Sequence, residues 1–68
     1  MLKLTLGKQI QIARIARDLP QRQVARETSI PAGVLSEIEN DWRVPSTEQR
    51  EKICSAIGIT PADLDDEA

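Results

Sequence analysis

The segment that most constrains the fold of this chain spans residues 20–46, where two short helical patterns are separated by a break of three residues. Gln21 opens the first pattern, and Val24 with Ala25 forms its inner face. The break falls at residues 28–30. Apolar side chains then return at helical spacing, at Val34, Leu35 and Ile38. Two short helices joined by a tight turn are therefore expected here.

A further helical pattern precedes this pair. One face of it is formed by Leu6, Ile10, Ala13 and Arg17. We therefore expect a first helix over residues 6–18, with Thr5 as its N-cap. The second and third helices are expected over about residues 20–27 and 31–39. Each begins at a proline, which suits a first helical turn because its missing N–H would have no partner there.

Two more helices are expected after the pair. Ser46 and Gln49 have the spacing of a capping box, which predicts the start of a fourth helix. Gly58 is placed to end that helix in a left-handed conformation. Residues 60–63 then cap a short fifth helix that contains Leu64. The pattern thus predicts an all-α fold of five helices.

Length and composition limit the chain to a single domain over residues 1–68, ending in an acidic tail at residues 65–68. The core must be aliphatic, because the chain has one Trp and no Phe or Tyr. No run of roughly 20 apolar residues is present to span a membrane, and residues 1–6 do not have the pattern of a signal peptide. A cytoplasmic location is therefore expected.

Enzymatic chemistry is not expected from these residues. The chain has no His, so neither a Ser-His nor a Cys-His pair can form, and it has no glycine-rich phosphate loop. Cys54 lies on an apolar helical face, which is more typical of core packing than of a nucleophile. The acidic residues 63–67 lack the glycine and terminal glutamate of a calcium loop. We predict neither a cofactor nor a metal ion.

The charge distribution is asymmetric along the chain. Net charge is −2, which by itself argues mildly against a nucleic-acid partner. Residues 1–30, however, carry six basic and two acidic side chains, whereas residues 31–68 carry three basic and nine acidic ones. This asymmetry predicts one basic face, with the acidic tail kept away from it.

The stretch PQRQVARETSIPAGVLSEIENDWRVPS, residues 20–46, resembles the helix-turn-helix segment of the Cro and phage-repressor type of proteins, the XRE family. The resemblance extends over residues 6–64 and keeps the family's order of elements. It implies a compact five-helix, lambda-repressor-like DNA-binding domain with its motif at about residues 20–39. It also implies a sequence-specific transcriptional regulator, a repressor bound as a homodimer to a two-fold operator in double-stranded DNA.

The resemblance further implies contacts to the DNA backbone at both ends of the third helix. Gln21 stands at the family position that clamps a phosphate from a helix N-terminus. Asn40 and Arg43 match positions that touch the second flanking phosphate. Arg14 and Glu39 match an arginine and a glutamate that the family pairs, which would fix the angle between the first and third helices. We also assign Arg14 to the backbone-contacting set.

The third helix departs from the family pattern at the positions that face the bases. Family members usually carry Gln, Ser, Arg or Asn there. The corresponding residues here are Ala32, Gly33, Val34, Ser36 and Glu37. Alanine and valine methyl groups can contact the thymine methyl, serine can donate or accept, and glutamate can accept from cytosine N4. No arginine is available in this helix to bind guanine.

The C-terminal part is the predicted dimer interface, formed by Ile59, Pro61 and Leu64, with Ile59 expected in an exposed connection. Two other apolar features leave alternatives open. Ile12 and Ile15 belong to a stripe that packs on the fifth helix or binds a partner, and Trp42 is a lid over the core or an interface anchor. The alternative function is therefore a protein-interaction module of the same fold, antitoxin-like or antirepressor-like, with weak or lost base readout.

Overall fold

The computed structural model describes residues 4–64, and within them four α-helices precede one 3₁₀ turn. The elements are α1 (Leu6–Ala16), α2 (Gln21–Thr28), α3 (Ala32–Glu39), α4 (Thr47–Ile57) and the 3₁₀ turn Pro61–Asp63. The all-α prediction is confirmed for this part of the chain, but the predicted count of five helices is wrong. The predicted acidic tail, residues 65–68, lies outside the described residues.

The predicted fifth helix is a single 3₁₀ turn, Pro61–Asp63, whose backbone ends are satisfied by its own capping contacts. The Asp63 carboxylate accepts from the backbone N–H of Thr60 at 2.9 Å and from its hydroxyl at 3.2 Å. The Leu64 N–H then donates to the Pro61 carbonyl at 3.1 Å. Leu64 itself has returned to extended backbone, with φ −97° and ψ 140°. Only three residues are therefore needed to return the leucine side chain to the core.

At the other helix ends, the observed capping residues are those that the local sequence predicts, or lie within two residues of them. Thr5 caps α1 by accepting from the Lys8 N–H, and Ser46 forms the predicted capping box with Gln49. Gly58 ends α4 in the left-handed region, at φ 93°. The first helix stops at Ala16, two residues earlier than predicted, because Asp18 adopts a left-handed φ of 55°.

The two prolines precede their helices instead of occupying the first helical positions. Pro20 and Pro31 are the N-cap residues of α2 and α3, and neither cap has a side-chain hydrogen bond. A proline in this position suits the extended backbone that leads into a helix, with ψ of 145° and 141° respectively. The predicted starts of these helices were therefore one residue early.

The core is aliphatic, as predicted, and it is formed by all four helices together with the turn before α3. Its buried members are Ile10, Val24, Ala25, Ile30, Leu35, Ile38, Ile53 and Ile57. Helix α2 packs against α3 and α4, and α1 packs against the same two helices. None of the helices in residues 4–64 is long and apolar enough to cross a membrane.

Gly7 allows α1 to approach the end of α3 at backbone distance. A Cβ at this position would lie 2.3 Å from the Ile38 carbonyl oxygen and 2.8 Å from that of Glu39. The adjacent Asp41 then caps α1, since its carboxylate accepts from the Gly7 N–H at 3.0 Å and from the Thr5 hydroxyl. The C-terminus of α3 is thereby anchored to the N-terminus of α1.

Candidate nucleic-acid interface

The turn that joins α2 to α3 is organised by a buried threonine. Thr28 is 3% exposed, and its hydroxyl donates to the Val24 carbonyl at 2.8 Å while accepting from the Ile30 N–H at 3.2 Å. Ser29 follows in the left-handed region, at φ 61°. These contacts reverse the chain within three residues and bury Ile30, so that α3 starts at a fixed position relative to α2.

A buried hydrogen-bonded network fixes the far end of α3. The Glu39 carboxylate accepts from Arg14 Nε at 2.8 Å, from Arg14 Nη2 at 3.1 Å and from Gln21 Nε2 at 3.2 Å. Arg14 Nη1 also donates to the Leu19 carbonyl at 2.8 Å. The network thus connects α1, the link before α2, the first residue of α2 and the last residue of α3.

Burial makes this network a determinant of helix orientation. Glu39 is 1% exposed, and the Arg14 side chain is 12% exposed. A buried ion pair adds little net stability after desolvation, but an unpaired buried charge is costly. Any arrangement of the helices that separates Arg14 from Glu39 is therefore disfavoured, and the angle of α3 is restricted to the one that keeps them together.

The same contacts refine the roles predicted for Arg14 and Gln21. Arg14 directs three of its nitrogens to partners inside the protein, a geometry that favours positioning over direct phosphate contact. Gln21 uses its amide nitrogen for Glu39, but an amide carries two N–H groups. The second N–H and the backbone N–H at the start of α2 leave Gln21 able to donate to a phosphate.

The outward face of α3 carries four of the five residues predicted to face bases. Ala32 and Gly33 are exposed, and Ser36 and Glu37 are partly exposed one turn later. Val34 is not on this face, because it is partly buried and packs against the core. Gly33 has no heavy atom within 4 Å of the place where a Cβ would lie, so no contact within the protein requires a glycine there.

The two polar side chains of this face have partners at the end of α3 and in the following loop. The Asn40 amide donates to the Ser36 carbonyl at 2.8 Å, with its hydroxyl at 3.5 Å. Arg43 Nε donates to Glu37 Oε1 at 2.8 Å. The structure thus brings Ser36, Glu37, Asn40 and Arg43 together at the C-terminal end of α3. Gln21 bonds Glu39 at this same end, so the expectation that Gln21 and the Asn40–Arg43 loop lie at opposite ends of α3 is wrong.

A comparison with protein families decides the class of this fold. A family model described as a helix-turn-helix domain matches residues 5–66, nearly the whole chain. The chain belongs to the helix-turn-helix family. Within it, the chain is a DNA-binding regulator of the Cro and phage-repressor type, and the regulators of this family are non-enzymatic.

A solved structure shares the arrangement of the helices. The restriction-modification controller protein C.AhdI from Aeromonas hydrophila superposes with a TM-score of 0.82. It is 22% identical in sequence, and the alignment covers 85% of this chain and 88% of that one. At this identity the likeness establishes the fold. No curated protein matches the sequence.

Two exposed positive charges of this helix-turn-helix domain lie on the first helix of its motif. Arg22 and Arg26 are both exposed on α2.

The thiol of the domain is buried at Cys54 on α4, a residue that is 1% exposed. Burial raises the pKa of Cys54, with nearby Arg50 lowering it less and Asp63 adding a smaller increase. The thiol is therefore protonated at neutral pH and packs as a small apolar side chain.

The apolar surface of the domain differs from the expectation at the predicted dimer interface. Ile59 and Leu64 are partly buried and pack against the core, so the expectation of an exposed Ile59 is wrong. Pro61 is exposed. Next to them lies a groove lined by Leu4, Gln9, Ile12, Ala13, Ile59, Asp63 and Leu64. Trp42 is 79% exposed, which excludes its role as a lid over the core.

Three residues that position this interface were missed by the sequence analysis. Gly7 and Asp41 join α1 to α3, and Thr28 holds the turn between α2 and α3. Thr28 had a local signal, because a threonine before a tight turn can bond its own backbone. Gly7 and Asp41 are 34 residues apart in sequence, and nothing local predicts that they meet.

Proposed function

We propose that this chain is a sequence-specific repressor that binds double-stranded DNA as a homodimer, with α3 lying in the major groove. The observation that carries the proposal is the outward face of α3, where small and polar side chains are exposed on a helix held at both ends. A helix of this kind, presented by a helix-turn-helix, is the element that enters the major groove in such proteins.

Contacts to the DNA backbone are assigned to both ends of the motif. Gln21 donates to a phosphate from the start of α2, with its orientation set by Glu39. Asn40 and Arg43 approach a second phosphate from the C-terminal end of α3 and the loop that follows it. Contacts of this type fix the position of the protein on the duplex without specifying sequence. Arg14 acts through Glu39 and not on the DNA.

Base recognition is assigned to the outward face of α3. The Ala32 methyl contacts a thymine methyl, Ser36 donates to or accepts from a base edge, and Glu37 accepts from cytosine N4. Gly33 allows the backbone of α3 to approach the duplex closely. Since α3 contains no arginine or lysine, the preferred site is not defined by bidentate contacts to guanine.

The rival function is a protein-interaction module that keeps the fold without reading bases. Its supporting observation is the apolar and uncharged start of α3, from Ala32 to Leu35. Selection of bound sequences from a random pool of duplex DNA distinguishes the two functions. We expect enrichment of a two-fold site whose half-sites lie about 34 Å apart, one turn of B-DNA. A pool that remains random after selection would favour the rival.

The selected site also tests the direction of regulation. Placed between a promoter and a reporter gene, it should reduce transcription when the chain is expressed. An increase in transcription from the same reporter would identify an activator, and repression would then have to be abandoned.

Dimerisation is assigned to the C-terminal part, through Ile59, Pro61 and Leu64, and to the groove beside them. This groove has apolar walls from α1 and from the 3₁₀ turn region, and a self-complementary contact suits an apolar surface. Because Ile59 packs on the core, its substitution would disturb folding, and Ile12, 46% exposed at the groove wall, gives a cleaner test.

Ile12→Asp should therefore abolish cooperative binding to a duplex with two half-sites while leaving the monomer folded. Ile15→Asp is the matched control, because Ile15 lies on the same helix, is 56% exposed and does not line the groove. Sedimentation and binding isotherms report the result. Equal effects of the two changes, or no effect of Ile12→Asp, would place the dimer interface elsewhere.

A further inference from the structure

The side chains assigned to bases and those assigned to phosphates are not independent in this structure. Glu37 Oε1 accepts from Arg43 Nε at 2.8 Å, with the two side chains 41% and 51% exposed. Glu37 belongs to the outward face of α3, whereas Arg43 belongs to the loop that follows it. A carboxylate assigned to a base edge is thus already bonded to a guanidinium assigned to the backbone.

An isolated carboxylate on the outward face of α3 would oppose DNA binding. The major groove is flanked by negatively charged phosphates, so a carboxylate that enters it is repelled. Arg43 is the one basic residue between positions 27 and 49, a range that also contains Glu37, Glu39, Asp41 and Glu48. Glu39 is paired with Arg14, and Asp41 caps α1. Arg43 is therefore placed to neutralise Glu37.

We propose that Arg43 is the counter-ion that carries Glu37 into the major groove, so that the two side chains form one recognition unit for cytosine. The inference rests on the proposed DNA-binding function and deepens it. Arginine has five N–H donors in a rigid fork, so a guanidinium that bonds Glu37 still has donors for a phosphate. The second carboxylate oxygen of Glu37 then accepts from cytosine N4.

This arrangement differs from two independent contacts in a measurable way. If Glu37 and Arg43 act separately, Glu37→Gln has the same effect on affinity whether or not Arg43 is present. If Arg43 neutralises Glu37, then Arg43→Ala exposes the carboxylate to the phosphates, and Glu37→Gln in that background relieves the repulsion. A double-mutant cycle measures this difference directly.

The cycle uses a labelled duplex of mixed sequence, with affinities measured for the natural chain, both single variants and the double variant. We expect Glu37→Gln alone to change affinity by less than about twofold, and to raise it about fivefold or more in the Arg43→Ala background, within the usual range of coupling between contacting residues. Both side chains are about half exposed, so the variants should fold, which circular dichroism checks.

Arg26→Ala is the control for the loss of one positive charge, because Arg26 is exposed on α2. In the Arg26→Ala background, Glu37→Gln should have the small effect that it has in the natural chain. Equal effects of Glu37→Gln in all three backgrounds would overturn the inference while leaving the proposed function intact. Failure of the natural chain to bind the duplex would overturn the proposed function itself.

Base preference supplies a second readout. Sequences selected by the natural chain should contain cytosine at one position of each half-site, and Glu37→Gln should remove that preference. The double variant should bind with the same loss of preference. A cytosine preference that survives Glu37→Gln would overturn the assignment of the carboxylate as its acceptor.

Discussion

Single residues of α3 separate what folding requires from what binding requires. Gly33 is exposed, and a Cβ there would meet no heavy atom within 4 Å. Glycine inside a helix costs about 1 kcal/mol relative to alanine because of backbone entropy. The fold therefore carries a destabilising residue that no packing contact explains, and the close approach to DNA proposed for α3 is a reason to keep it.

Gly33→Ala should stabilise the domain by about 1 kcal/mol, measured by chemical denaturation, and should weaken binding to the selected duplex. The methyl group is accommodated in the free protein and obstructs the backbone's approach to the groove. Ser55→Ala, at an exposed position of α4 outside the proposed interface, serves as a control for a small change on a helix surface. Unchanged affinity with increased stability would show that Gly33 has no role in the interface.

Cys54 gives a pH-dependent prediction at the same scale. Burial raises its pKa in the folded state above the ordinary value of 9.0. Above pH 9 the unfolded chain's thiol ionises while the folded one does not, so the unfolding free energy should fall as pH rises. The stabilising effect is complete below the unfolded pKa and is lost as pH passes the folded pKa.

The check compares the natural chain with Cys54→Ala between pH 8 and about 11. The two proteins differ at this residue alone, so the difference between their slopes isolates the thiol. The natural chain should lose stability more steeply with pH. Parallel curves would mean that Cys54 is not held protonated by the fold.

At the scale of elements, contacts between the end of α3 and the start of α1 determine how α3 is held. Gly7→Ala should destabilise the domain by about 1–3 kcal/mol, as expected for overpacking. The added methyl group would collide with backbone atoms, namely the carbonyl oxygens of Ile38 and Glu39. Denaturation midpoints measure the effect, with Gly33→Ala as the opposite-signed control. A neutral or stabilising Gly7→Ala would contradict this packing.

The buried network makes a second prediction at this scale. Glu39→Gln removes the charge partner of Arg14 and should destabilise the domain by about 3 kcal/mol, because a buried charge is left uncompensated. Affinity for duplex DNA should also fall, since α3 loses its fixed angle. Glu48→Gln, an exposed carboxylate at the first turn of α4, is the control. Equal stabilities of the two variants would contradict the role of the network.

The sequence predicts the positions of the helices better than it predicts the contacts between them. Ser46, Gln49 and Gly58 carry their signals within one helical turn, and α4 lies where they indicate. Ala32–Leu35 likewise fall on α3 as expected. The sequence predicts a fifth helix where the structure has a 3₁₀ turn, because a capping pattern fixes where a turn begins but not how many residues follow it. Gly7 and Asp41 were missed because their contact depends on tertiary packing.

The contacts within the candidate site were likewise only partly predictable from the sequence. The family resemblance predicts that Arg14 pairs with Glu39, and the two side chains are in contact in the structure. The pairing of Glu37 with Arg43 was not anticipated, since each side chain was assigned a separate partner on the DNA. Exposure also mattered, because periodicity did not reveal that Val34 and Ile59 pack on the core.

At the scale of the whole molecule, the net charge of −2 does not describe the surface that would meet DNA. Two of the acidic groups near α3 are committed to internal contacts: Glu39 to Arg14, and Asp41 to α1. Glu37 is paired with Arg43. Exposed arginines remain on α2. The local balance around the motif is thus more favourable to phosphate binding than the overall composition.

The most direct test of this account is the salt dependence of binding to a duplex of mixed sequence. A protein that neutralises phosphates through Arg43 and the exposed arginines of α2 releases counterions when it binds. The logarithm of its affinity should fall linearly with the logarithm of salt concentration, with a slope of about −0.9 for each phosphate neutralised. Arg43→Ala should reduce that slope. A chain that binds no duplex at low salt, or binds with no salt dependence, would contradict the account.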